Sequence, residues 1–398
     1  MSTPEAARPR NEPGSARGFR DGGRPPSART GGETLAFVES PVQFLNVLEW
    51  AHARVLPETA DGDASEPERL SPEDITVVVL SPLDPMTRGQ LRRMAELARD
   101  EGLKVRWEDA RGGAAAPFRT VGALAPRLRR ARRVVIGDPF SRYVQLLLTL
   151  AGAPETVVVD DGTATMEFVS QLARGERLVR WHRSGRGFAG PRDAVFAPVA
   201  SLARRRLNVR GNRRVEVFSS MPVEAPDGVV VTANDFAWTR SRFGPPRTTG
   251  GADLVGTSLA ETGVIDTDRY IEAVAALARD HGATRYFAHR RESAGKLHRL
   301  AAVTGLEIVR PDLPLELIAR RGPVGATILS FPSTVVHTLP LALEGTGVRV
   351  VVFDIEPDWL ADDASPRAEG FLSAVTGTAR GVHRMPSAPS GPPCPTPP

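Results

Sequence analysis

The sequence predicts an α/β protein made of two Rossmann-like domains facing a cleft, and three observations lead there. First, short stretches dominated by β-branched apolar residues recur along the chain, interrupted only by Thr76, Thr232 and Arg349: Ile75–Leu80, Val157–Val159, Val229–Thr232 and Val348–Phe353. Runs without polar alternation suit strands buried on both faces, as in parallel sheets. Second, stretches with helical spacing of apolar residues separate these runs, as at Phe44, Val47, Leu48 and Ala51. Third, the strand–helix alternation starts again after Pro222–Gly228, a Pro- and Gly-containing stretch that reads as a hinge. Alternation of this kind, with right-handed crossovers, builds parallel sheets.

The elements follow in order. Thr34–Val38 is a strand that runs through Glu39, Ser40, Pro41, Val42 and Gln43 into a helix. Pro57–Asp74 is an acidic, polar loop before the strand Ile75–Leu80. Met86–Glu101 is a helix, Val105–Trp107 a short strand and 119–131 a helix. Val134–Gly137 is a strand ending at Asp138, with a helix through Leu150 after it. The run Val157–Val159 stops at Asp160, Asp161 and Gly162, and a helix starts at Thr163. Val215–Phe218 is the next strand. In the second half, strands at Val229–Thr232, Asp253–Gly256, Arg285–Ala288, Glu307–Val309, Ala326–Ser330 and Val348–Phe353 alternate with helices. Asp266 or Thr267 caps the helix to His281, and Trp359–Val375 is a last helix. The predicted division is a disordered tail over 1–33, an N-terminal domain over 34–222, a C-terminal domain over 223–378 and a disordered Pro-rich tail over 379–398.

Composition narrows the function. A chain of 398 residues can hold two domains with real cores. The single cysteine, Cys394, excludes disulfides and cysteine metal sites and fits a reducing compartment. No run of about 18 apolar residues suggests a membrane span, and no apolar stretch near the N-terminus suggests a secretory signal, so a cytoplasmic location is expected. The net charge of +4, carried mostly by arginine, permits anionic partners. Arginines crowd 174–214, with Trp181, Phe188 and Phe196 among them. That stretch reads as a solvated face or as a dock for an anionic acceptor or the inner membrane surface. No nucleic-acid motif accompanies the charge, so no nucleic-acid partner is expected.

Chemistry is sought where strands meet helices, the edge at which open α/β sheets bind ligands. Asp160 and Asp161 end one strand there. Since successive strand residues point to opposite sides, only one of them faces a given cleft. Taken alone, such acids more often cap the next helix. In the second half His289 ends a strand and could donate to a phosphate or be a structural histidine bonded to a loop carbonyl. Ser333 and Thr334 open a helix after Ser330; their hydroxyls and the backbone N–H groups make a phosphate seat, or Ser330 or Ser333 is a plain N-cap. Glu316 could accept from ribose hydroxyls or be an ordinary first-turn acid. Thr257 follows the strand ending at Gly256, at the same kind of edge. Ser293 and Lys296 match S-x-x-K by spacing, without its partner motifs, and read as a chance match on a helix surface. Familiar phosphate loops, zinc motifs and nucleophile elbows are absent.

The order of these signals is informative. Asp160-Asp161-Gly162, then Tyr286-Phe287-Ala288-His289-Arg290-Arg291-Glu292, then Ser333-Thr334 resemble the three motifs of bacterial sialyltransferases and polysialyltransferases: D/E-D/E-G, His-Pro and a Ser/Thr pair. Glu39-Ser40-Pro41-Val42-Gln43 is similar to their first strand–helix turn. The resemblance spans about 34–353. It departs at Arg290, which stands where the motif has proline and removes a conformational lock. The resemblance implies the GT-B arrangement, inverting transfer from a CMP-sialic acid donor to a glycan or glycolipid hydroxyl, no cofactor and no metal. It implies Asp161 as general base, with Asp160 the alternative, and His289, Ser333 and Thr334 on the CMP phosphate. Glu316, Ser330 and Thr257 fall on the donor side, and Ser40 and Gln43 on the acceptor side. Another nucleotide sugar, an epimerase, or a non-catalytic nucleotide- or carbohydrate-binding paralogue are the alternatives.

Overall fold

The computed structural model describes residues 32–55, 70–109, 111–113, 116–176, 178, 191–209, 211–361, 375 and 377–386. The predicted N-terminal tail over 1–31 lies outside them. So do most of the Pro57–Asp74 loop, the body of the last predicted helix and residues 387–398.

Two parallel sheets organise the chain. The first holds β1 (Thr34–Val38), β2 (Ile75–Leu80), β3 (Lys104–Glu108), β4 (Arg133–Ile136), β5 (Glu155–Val159), β6 (Arg214–Ser219) and β7 (Val229–Ala233). Their order across the sheet is β3-β2-β1-β4-β5-β6-β7. The second holds β8 (Thr248–Val255), β9 (Ala283–Phe287), β10 (Glu307–Val309), β11 (Val324–Ser330), β12 (Arg349–Phe353) and β13 (His383–Met385). Their order is β10-β9-β8-β11-β12-β13. Every residue of β1 and β2 is buried, as their unbroken apolar runs require.

The helices are α1 (Pro41–Val55), α2 (Pro85–Asp100), α3 (Ala116–Arg130), α4 (Arg142–Leu150), α5 (Thr163–Ala173), α6 (Pro191–Arg206), α7 (Ala237–Arg242), α8 (Thr267–His281), α9 (Ala294–Thr304), α10 (Leu315–Arg321) and α11 (Val335–Ala342). No helix among the described residues is long and apolar enough to cross a membrane. The strand-then-helix alternation is therefore as expected, and the molecule has two α/β halves. They share apolar packing, because Leu313, Leu317 and Ala342 join the cluster that holds Phe44, Trp50, Phe236 and Trp238.

Two boundaries differ from expectation. Val229–Thr232 does not open the second half: β7 pairs in parallel with β6, from Val215–Val229 to Ser219–Ala233. Pro222–Gly228 is thus a connection inside the first sheet, not a hinge, and the chain crosses between the sheets over 234–247. Proline and glycine mark both kinds of connection alike, so pairing decides. The C-terminal tail also contributes structure. β13 lies parallel to β12, and Arg384 reaches the Asp354 carboxylate, so the expected disorder of 379–398 fails for 383–385.

Candidate functional site

The C-terminal ends of both sets of strands open on one cavity of about 480 Å³. Its walls include Ser40, Gln43, Asp160, Asp161 and Gly162 from the first half. Thr257, His289, Glu316, Ser333 and Thr334 come from the second. Every candidate site residue except Ser330 lines it. Ser330 is buried at the end of β11 and donates its hydroxyl to the Phe331 carbonyl at 2.9 Å, so it leaves the candidate set.

The acid pair divides as strand geometry requires. The Asp160 carboxylate turns inward, where it accepts from Ser219 Oγ (2.5 Å), Ser220 N (2.6 Å) and Ser220 Oγ (2.9 Å). Its carbonyl accepts from Asn46 Nδ2 at 2.9 Å. Burial pushes its pKa up, against the pull of those donors. Asp160 thus ties β5 to the end of β6 and to α1, and Asp161 is the half-buried member of the pair. Neither acid caps α5; its N-cap is Gly162 and has no side-chain bond. Gly162 has φ +66°, and a Cβ placed there would lie 2.7 Å from Thr334 Cγ2. The acid turn of one half therefore touches the Ser/Thr turn of the other.

On the opposite wall, β9 delivers His289 to the cavity. The backbone N–H of Arg291 donates to its Nδ1 at 3.2 Å. A neutral imidazole that accepts at Nδ1 carries its proton on Nε2, leaving an N–H donor. Burial holds the ring down at about 4, helped by the charges of Arg290, Arg291 and Lys296, so it is neutral at pH 7. Ser333 and Thr334 precede α11, at the positive end of its dipole. The N-cap residue Thr334 makes no side-chain cap bond, so plain capping does not explain it. Glu316 is buried in the first turn of α10 and accepts from Thr338 Oγ1 at 2.5 Å. Burial raises its pKa. Ser40 Oγ accepts from Gln43 N at 3.2 Å, and Gln43 Oε1 accepts from Glu39 N at 2.7 Å. These two acceptor-side candidates shape the first turn of α1.

Several wall residues were named in the sequence, all but Arg310, without being assigned to the site. Glu39, after β1, and Asp138, after β4, stand at strand ends just as Asp160 does after β5. Glu39 is paired with Arg111, and burial raises its pKa. Arg290, Arg291 and Arg310 add positive charge after β9 and β10. Applied to every strand, the strand-end rule would have found all five. Lys296 is a correction. It is no surface residue: its side chain is 4% exposed and its Nζ lies 2.8 Å from Glu292 and 3.2 Å from Glu261. Of the basic stretch 174–214, Arg177, Arg180, Trp181, Arg183, Arg186, Phe188 and Arg210 lie outside the described residues.

No family model and no curated protein matches the sequence. Solved structures with a similar fold include an α/β-galactoside α-2,3-sialyltransferase from Photobacterium phosphoreum. It is 9% identical, with 88% of this chain and 98% of that chain covered and a TM-score of 0.47. HepE from Anabaena, in complex with UDP and glucose, is 12% identical over 87% of this chain and 91% of that chain, with a TM-score of 0.43. UDP-GlcNAc 2-epimerase from Neisseria meningitidis, bound to UDP-GlcNAc, is 10% identical over 86% of each chain, with a TM-score of 0.38.

Proposed function

We propose that this protein is an inverting glycosyltransferase that moves sialic acid, or a related nonulosonic acid, from a CMP-sugar to a hydroxyl of a glycan or glycolipid. The observation that carries the reading is the convergence of Asp161 from one half with His289, Glu316, Ser333 and Thr334 from the other on a single cavity. Its volume of about 480 Å³ falls within the usual range for small-molecule sites. Asp161 takes the proton from the acceptor hydroxyl as that oxygen attacks the anomeric carbon. The bond to the donor phosphate breaks, and CMP leaves with its electrons through an oxocarbenium-like state. His289, as a neutral Nε2–H donor, and the Ser333–Thr334 turn meet the charge that grows on the phosphate. Glu316 accepts from the ribose hydroxyls. Of the two adjacent acids, Asp161 suits the base role, because Asp160 is engaged by three donors inside the fold.

The test is nucleotide calorimetry with CMP and UDP, followed by incubation with CMP-sialic acid and an acceptor panel. The expected result is CMP binding at least tenfold tighter than UDP, CMP release, and a product heavier by one sialyl residue or more. Preferential UDP binding would overturn the donor assignment, and CMP binding without any product would overturn the transferase reading.

A further inference from the structure

The His289 turn carries a feature that the transfer chemistry does not use. Glu292 closes this turn twice. Its N–H donates to the His289 carbonyl at 3.0 Å, so His289 to Glu292 form a β-turn with Arg290 at its second position. Its Oε2 accepts the His289 N–H at 2.6 Å. The second position of such a turn is the one proline favours, because a fixed φ near −65° suits it. Arg290 supplies no such restraint.

The Glu292 carboxylate is itself held on every side. It is fully buried, and Tyr286 donates its hydroxyl to Oε1 at 2.6 Å. The Tyr270 hydroxyl lies 2.7 Å from that of Tyr286. Lys296 Nζ sits 2.8 Å from the same carboxylate and 4.4 Å from the centre of the Tyr270 ring. Gly256, at the end of β8, has no Cβ that would collide with Glu292 and Tyr286. Burying this ion pair is costly, and a hydrophobic pair of similar volume would serve stability equally well. A role in placing a neighbour accounts for keeping it.

We infer that Glu292, charge-balanced by Lys296, is the positioning residue for His289, standing in for the conformational restraint that proline would give at position 290. The inference rests on the proposed donor role of His289. Its Nδ1 bond to Arg291 N, which sets the Nε2–H tautomer, lies inside this turn.

The experiment uses the full chain with Glu292→Gln, and with Glu292→Gln/Lys296→Met in case the single change leaves the lysine charge unpaired and prevents folding. Each is also made with Arg290→Pro. Ring-nitrogen NMR reports the His289 tautomer, with the resonance assigned by its loss in His289→Asn, and calorimetry reports CMP affinity. The wild type is expected to show a single Nε2–H tautomer. The folded variants are expected to show a mixture and about tenfold weaker CMP binding, the size of one lost charge-assisted hydrogen bond. Arg290→Pro is expected to restore both to within about threefold. An unchanged tautomer with CMP affinity within about twofold overturns the inference, and so does a loss that Arg290→Pro fails to rescue. If the wild type binds no CMP, the functional reading fails, while the tautomer and its rescue still decide the role of Glu292.

Discussion

Gly162 and Thr334 bring the two walls into close approach. Gly162 holds φ +66°, a region that costs any other residue about 1 kcal/mol or more. A methyl group there would also meet Thr334 Cγ2. Gly162→Ala is therefore expected to destabilise the protein by about 2 kcal/mol. Thr334→Ser, which removes only Cγ2, is expected to return the steric share and leave the backbone share. Denaturant unfolding of both singles and the double checks this, and strictly additive costs would mean that the two turns do not press on each other. At this scale the sequence revealed what strand ends reveal. Asp161, His289, Glu316, Ser333 and Thr334 all follow strands or open helices, and all reach the cavity. Lys296 was illegible because a Glu–Lys pair four residues apart looks like a surface ion pair on a helix. The Tyr270 ring from α8, together with the Thr257 carbonyl, Glu261 and Glu292, encloses it.

Among the elements, α7 links the halves. This six-residue helix has no side-chain cap at its own N-cap, Phe236. Glu49 on α1 supplies acceptors instead, taking the N–H groups of Trp238 (2.8 Å) and Thr239 (3.0 Å) and the Thr239 hydroxyl (2.6 Å). Burial pushes the Glu49 carboxyl up from 4.5 to about 7. Between those values the folded protein keeps a proton that the unfolded chain has lost. This group therefore favours folding most below pH 4.5, and the contribution fades as pH rises through 7. Glu49→Gln is expected to be less stable overall and to lose this part of the pH dependence. Thermal unfolding from pH 4.5 to 8 checks it; parallel profiles for the two proteins would contradict the assignment. The strands buried on both faces, such as β1 and β2, were the most legible elements, since such burial forces apolar runs; β7 is an apolar run that stays largely exposed. The membership of β7 was not legible, because its composition fits either sheet and only its pairing with β6 settles it.

For the whole molecule, the two halves also meet beside the cavity. Gln90 on α2 donates to the Pro311 carbonyl at 2.7 Å, and Arg93 pairs with Asp312. The ion pair is largely exposed and contributes little. The Gln90 bond is nearly buried and contributes about 1 kcal/mol. Gln90→Ala is expected to raise the KM for the donor about fivefold while kcat changes less than twofold. Steady-state kinetics checks it, and an equal fall in kcat with unchanged KM would show that this contact serves the chemical step instead. The two-sheet plan was readable because the alternation of strand and helix persists through both halves. The closeness of the walls was not, because it depends on contacts between residues such as Gly162 and Thr334 that lie far apart in the chain.

In the proposed function, one sugar nucleotide lies between the two walls, with Asp161 as base on one and His289, Ser333 and Thr334 against its phosphate on the other. Single-turnover transfer from CMP-sialic acid by Asp161→Asn, with CMP affinity measured on the same protein, tests it most directly. The expected result is a rate reduced about 100- to 10,000-fold, the usual contribution of a general base, with CMP affinity within about threefold of the wild type. Transfer at a near wild-type rate would contradict it.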